Sequence, residues 1–287
     1  MRRLFLAAAL CVSLLVPASA VAAPTGAYAP FSKCPLSNPN TKLCLYAKTN
    51  SGSVTLGNKT VPIVNPVLLQ GGTEFQFQPF ETMTLIGATD GNTLSKTPQP
   101  VPGGLLGVTA PTWWPSLLRN LFNETINNGF TGVTATMELA GPASGVKINL
   151  EKMSGEQGTG LELPVKVKLG NPFLGNNCYI GSNSNPIKLQ LTTGVTSPPP
   201  PNTPIDGDFG NLEILEGGEL LWLKENKLVD NSFPAPGANG CGGILFSWLV
   251  DPFVDSINGT PAASGRNTAI LEGENQLANA SAVKASE

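Results

Sequence analysis

Histidine is absent from the 287 residues. With it go the Ser-His-Asp triad, the Cys-His dyad, the His-ligated zinc site and the histidine general base. Charge is scarce too, with Asp, Glu, Lys and Arg together forming 13% of the chain. Such a chain has no clustered Lys and Arg with which to grip nucleic-acid phosphates or anionic membranes. Past the first 20 residues no apolar run is long enough to span a bilayer, since Ile244 to Val254 is short and broken by Asp251-Pro252. The 32 glycines and 26 prolines fall below the level of low-complexity disorder and suit a chain of many turns. The expected class is mainly β, an antiparallel sandwich or partly closed barrel with one or two short helices.

The N-terminus reads as an export signal. Met1-Arg2-Arg3 is a short basic segment, Leu4 to Val16 an apolar stretch, and Pro17-Ala18-Ser19-Ala20 a helix stop followed by small residues. Cleavage is expected after Ala20, because cutting after Ala23 would put Pro24 directly beyond the scissile bond. Arg2-Arg3-Leu4-Phe5-Leu6 also fits the core of a twin-arginine signal, but Met1 and Ala7 depart from its flanks, so general secretion is expected. Cys11 follows Leu10 where a lipoprotein signal needs a small residue, so no lipid anchor is expected. Removal of residues 1–20 leaves 15 basic against 20 acidic groups, a net charge of −5. The expected location is extracellular, with non-covalent retention at the cell envelope as the variant of that reading.

Four cysteines remain after processing: Cys34, Cys44, Cys178 and Cys241. An even number in an exported chain points to two disulfides, and four cysteines allow three pairings. Pairing of Cys34 with Cys44 and of Cys178 with Cys241 is expected, because the first two are close in a Pro/Asn-rich segment and the others remain. Metal ligation lacks both a Cys-x-x-Cys spacing and histidine.

Residues Cys34 to Asn50 read as a loop, and strand signals begin at Val54-Thr55-Leu56. They continue at Thr60 to Ile63, Val67 to Leu69, Glu74 to Phe80 and Met83 to Ile86. A helix is expected from Pro115 to about Asn127, with Leu117, Leu118, Leu121, Phe122 and Ile126 on one face and Gly129 just beyond its end. The cleanest alternation is central. Val133 to Leu139, Val146 to Leu150, Leu161 to Leu169 and Ile187 to Leu191 each set an apolar face against a polar or charged one, as half-solvated antiparallel strands do. Residues 196–205 form a polyproline segment, read as a surface loop within a single domain of residues 21–287. Leu212 to Leu215 and Glu219 to Leu223 read as strands, Ile244 to Ile257 as a short helix interrupted at Pro252, and the tail from Gln276 as a frayed helix.

The stretch Leu169-Gly170-Asn171-Pro172-Phe173-Leu174-Gly175-Asn176-Asn177-Cys178-Tyr179-Ile180-Gly181-Ser182-Asn183-Ser184-Asn185-Pro186-Ile187, continuing to Gly194, resembles a segment of uncharacterised secreted proteins of actinobacteria. The resemblance implies an exported bacterial protein and carries no activity or functional residue with it.

Three constellations offer chemistry. Asp206, Asp208, Asn211 and Glu213 place oxygen ligands at close spacing, as a Ca²⁺ site requires, although the glycine spacing and the glutamate position depart from an EF-hand and turn chemistry explains the same residues. Trp113-Trp114, held between Pro111 and Pro115, offers an aromatic platform for sugars or a membrane interface, against the favoured reading of a half-buried staple before the helix. Glu213, Glu216, Glu219, Asp230, Asp251 and Asp255 supply the carboxylates of a glycosidase, if two of them face one another across a cleft. The expected function is therefore a binding or structural module without catalysis, its partner wall glycan or another secreted protein, with no nucleic acid and no cofactor save Ca²⁺. Two alternatives stand beside it: a secreted glycoside hydrolase, and a carrier of a small apolar ligand. The carrier's signature would be a continuous internal cavity lined by Leu, Val and Phe.

Overall fold

The computed structural model describes residues 22–76, 82–128, 130–154 and 158–287. The expected leader, the part of the Glu74 to Phe80 segment beyond Gln76, and Gly129 lie outside the described residues.

Fourteen strands make one antiparallel sheet. They are β1 (Leu43–Leu56), β2 (Lys59–Pro62), β3 (Val67–Gln76), β4 (Thr82–Gly87), β5 (Gln99–Pro100), β6 (Thr134–Leu139) and β7 (Lys147–Asn149). Then follow β8 (Leu161–Gly170), β9 (Tyr179–Ile180), β10 (Ile187–Leu191), β11 (Asn211–Leu215), β12 (Leu220–Asp230), β13 (Ala238–Asn239) and β14 (Thr268–Asn279). The path runs β11-β12-β14-β1-β3-β4-β7-β8-β6-β5, with β10 and β9 on β8, β13 on β9 and β2 on β1. Among the described residues four α-helices accompany it: α1 (Ser116–Asn127), α2 (Leu150–Met153), α3 (Gly243–Asn258) and α4 (Ala280–Ala285).

Alternation explains the centre. Leu161, Leu163, Val165, Val167 and Leu169 of β8 are buried, as are Ile187, Leu189 and Leu191 of β10, which pair with β8 in register. The outward residues carry the charge, and there Lys166 lies 4.0 Å from Glu138 and 4.6 Å above the Tyr179 ring. Burying these inward faces, at about 25 cal/mol per Å² of apolar surface, makes this the stable part of the fold.

Several elements differ from the sequence reading. β1 begins at Leu43, inside what reads as a loop, and β14 occupies residues where no strand is expected. Both run past bulges. In the β1–β14 ladder the register shifts between Thr49 and Ser51, and in the β12–β14 ladder between Leu223 and Asn226. Gly273 borders both shifts, the first lying between it and Glu272 and the second between it and Asn275, and any Cβ on it would collide with the Lys48 carbonyl oxygen. At the second bulge Glu225 takes a left-handed φ of 56°. The tail is not frayed: Gln276 pairs in β14, and α4, capped by the Asn279 side chain, buries Val283 in a small cluster with Phe31, Leu220 and the Cys34–Cys44 bridge. Finally, α3 is continuous through Pro252.

Both expected disulfides are present, Cys34–Cys44 and Cys178–Cys241, with Cα atoms 5.5 and 4.0 Å apart. The second joins residues on either side of the proline-rich segment. That segment is closed by bonds between Thr196 and Ile205, and the Asn202 side chain donates from it to the Asn231 and Asn267 carbonyls.

The sheet does not close by a continuous ladder. An isolated bridge joins the residue that follows β10 to β12, with Thr192 and Val229 exchanging backbone hydrogen bonds of 2.9 Å. Next to it the buried Asp230 carboxylate accepts the Gln190 N–H at 2.7 Å and the Ser232 N–H at 2.9 Å. Burial raises its pKa above the ordinary 3.8, while the two amide donors pull it down and only partly compensate. The folded chain thus holds this proton more tightly than the unfolded chain. The resulting stabilisation is present below about 3.8 and is lost as pH rises through the folded value. Relative to Asp230→Asn, the wild type should lose urea-unfolding free energy across that window. Parallel pH profiles of the two proteins would contradict this.

Candidate functional site

The predicted site residues do not converge. Asp206 and Asp208 lie on the chain leading into β11, where Asp208 accepts the Gly210 N–H in a local turn. Asn211 donates to Glu225 at 3.1 Å, and Glu213 pairs with Lys224 at 2.7 Å. Among the described residues no group of three or more His, Cys, Asp or Glu side chains is placed to hold a metal. The carboxylates considered for acid/base work are dispersed. Glu213, Glu216 and Glu219 are exposed, and Asp230 sits at the sheet seam. Asp251 accepts the Cys241 and Gly240 amides at 2.7 and 3.2 Å, and Asp255 accepts the Ala238 amide and the Thr260 hydroxyl, each at 2.7 Å.

What the fold does bring together is apolar. Beneath the bent sheet lies a cavity of about 250 Å³, with β1, β3, β8, β12 and β14 contributing walls and Phe209 and Leu212 lying across it from the β11 side. Among the described residues Thr49, Ser154 and Asn275 are its polar lining residues, and none of the described lining residues is charged. A smaller chamber of about 70 Å³ adjoins it, sharing Ile63, Val67 and Met137, and ends at Lys59 and Asn258. The bulges explain how the strands keep facing inward. Leu45, Ala47 and Thr49 point into the larger chamber, whereas past the extra residue in β1 it is Val54 and Leu56 that face the smaller one. In β12 the inward set changes likewise from Leu221 and Leu223 to Leu228. Walls of this kind favour an apolar occupant over water, and the volume exceeds the roughly 150 Å³ that suffices for a benzene ring.

The smaller chamber ends where the helices are. The Asn58 amide bonds to the Asn258 carbonyl at 2.6 Å, which seats the end of α3 on the β1–β2 turn. Asp251 and Asp255 fix its inner side, leaving the outer side of α3 uncovered. Ile244 is 100% and Trp248 74% exposed, and Leu245, Phe246, Leu249 and Phe253 are exposed with them. α1 forms where expected, from Ser116 with Pro115 at its cap, but it buries no residue: Leu117 is 71% exposed, and Leu118 and Leu121 are exposed. Its end is tied down by the Asn127 and Asn123 side chains, which accept the Gly103 and Ala110 amides. Trp114 packs edge-on against Phe122 with centroids 5.5 Å apart, whereas Trp113 is 79% exposed. The half-buried packing expected of the pair describes Trp114 and not Trp113. Phe130 and Phe173, both exposed and 6.1 Å apart, continue the apolar surface, and the Gly242 amide bonds to the Leu174 carbonyl at the start of α3.

The cavity walls were hidden from sequence reasoning in part because β1 and β14, which supply Leu45, Ala47, Thr49, Leu271, Asn275 and Leu277, do not read as inward-facing strands there. The helical surface had a signal: from Gly243 to Val250 the chain carries no charge on any side, which a helix half in water would have. No family model, curated protein or solved structure matches the chain, so this hollow and the bare helices beside it are what its function is read from.

Proposed function

We propose that this chain is an exported, disulfide-stabilised carrier that encloses an extended apolar molecule, an acyl chain or similar lipid moiety, in the hollow beneath its sheet. The observation that carries this reading is the cavity of about 250 Å³ whose described wall residues are uncharged and almost all apolar. Apolar pockets with few polar groups are the usual form of small-molecule sites. Enclosing a sugar there would strip its hydroxyls of water with only Thr49, Ser154 and Asn275 to replace it, which disfavours glycan as the occupant. Among the described residues Glu213, Asp230, Asp251 and Asp255, of the carboxylates considered for a glycosidase, are engaged apart from one another, which gives that alternative no support. The paired cysteines and the leader-like start favour work outside the cell, in line with the resemblance to secreted actinobacterial proteins.

Ala47 faces the cavity between Leu45 and Thr49, so Ala47→Phe should occupy part of it. Titration with the fluorescent apolar probe N-phenyl-1-naphthylamine should show saturable uptake by the wild type and at least about tenfold weaker uptake by Ala47→Phe, with Tm unchanged or raised as cavity filling allows. Absence of saturable uptake by the wild type, or equal affinity in the variant, would refute the carrier reading.

A further inference from the structure

We infer that the exposed sides of α1 and α3, with Trp113 just before α1, form a docking surface for a lipid layer of uncharged or zwitterionic headgroups. Segments that carry other exposed apolar residues contact both ends of α3. Gly107, in the loop held to the end of α1, abuts the Ile257 side chain, and Leu174 beside Phe173 bonds to Gly242. Isolated exposed leucines need no explanation, but a surface of this extent on a soluble protein marks an interaction.

Three observations choose lipid as the partner. First, Ile244, Leu245, Trp248, Leu249 and Phe253 are all exposed, and at 100° per residue they span about half the circumference of the helix. This is a ridge, which a fluid layer surrounds on all sides and a rigid protein partner could match only with a deep groove. Second, no charge lies on α3 before Asp251, and both Asp251 and Asp255 are spent on backbone amides behind the helix. Helices that lie in a membrane interface present this apolar side to the acyl boundary, with tryptophan at headgroup level, where Trp113 and Trp248 would stand. Third, the chain beyond residue 20 carries a net charge of −5, so contact with anionic headgroups would be repelled and a neutral layer is the compatible one. The smaller chamber's end at Asn258 places the same surface next to the hollow.

The test is flotation of the purified mature chain with phosphatidylcholine vesicles, alongside Leu245→Glu/Trp248→Glu. Both residues are exposed, so the variant should keep the wild-type Tm. The wild type should float with the vesicles with little dependence on salt, the variant at least about tenfold less, and phosphatidylglycerol should weaken wild-type binding. Binding that is absent, that survives the double substitution, or that requires anionic lipid would overturn the inference. So would a wild-type dimer dissociated by the same substitutions, which would assign the surface to a second copy. Probe uptake in vesicle-free solution reports on the hollow alone, so failure of either idea is visible separately.

Discussion

Removing the Cys178–Cys241 bridge by replacing both cysteines with alanine is expected to lower the unfolding free energy by about 4 kcal/mol. The bridge closes a loop of 63 residues, and the chain-entropy relation assigns about 4.3 kcal/mol to a loop of that size. Both cysteines are fully buried, so the alanines also leave unfilled space. The damage should spread to the helical pole, because the Cys241 amide is one of the two that hold Asp251 of α3. Replacing Cys34 and Cys44, only 10 residues apart, should remove about 2.7 kcal/mol by the same relation. Denaturant midpoints of the two double variants check this ranking, and equal losses would contradict it.

Asn267→Ala should destabilise the fold by about 3 kcal/mol without removing any apolar surface. Asn267 is fully buried. Its amide nitrogen donates to the Phe233 and Ala263 carbonyls at 2.8 and 3.1 Å, and its oxygen accepts the Gly57 amide at 2.9 Å. One side chain thus satisfies three backbone groups from segments that have no ladder partner there. Truncation strands them away from water, at about 1–3 kcal/mol for each group left unsatisfied. The exposed Asn92, replaced in the same way, should change stability by less than about 0.5 kcal/mol. Urea unfolding of both variants measures the contrast, and similar losses would show that burial of these bonds is not what matters.

Legibility followed the regularity of the strands. β8 and β10 were readable because one side meets the core and the other meets water along their whole length. β1 was not, because its inward positions change from odd to even numbers at the bulge, leaving Lys48 to Ser53 without a sustained alternation. β14 conceals itself differently. Its odd residues Leu271, Asn275 and Leu277 face the hollow, but Leu277 is only partly buried there, while on the other side Gln276 is buried and Ala278 joins the Phe31 and Val283 cluster. Burial therefore moves from one face to the other although the strand does not. The helix at 116–127 was legible from its spacing, whereas the exposure of its apolar side was not, because periodicity states which side is apolar and nothing about what meets it.

Gly273 has a consequence for how this architecture could diversify. Each flanking strand carries its surplus residue immediately beside its partner of this one position, and bulges sharpen the local bend and coil of a sheet. The interior void is then set by the path of the main chain and is not a by-product of undersized side chains. Exchanging Leu69, Met137 or Leu163 for residues of other volume would remould the interior for a differently shaped guest while the scaffold persisted, whereas a side chain at 273 would disturb the bend on which every version of that interior depends.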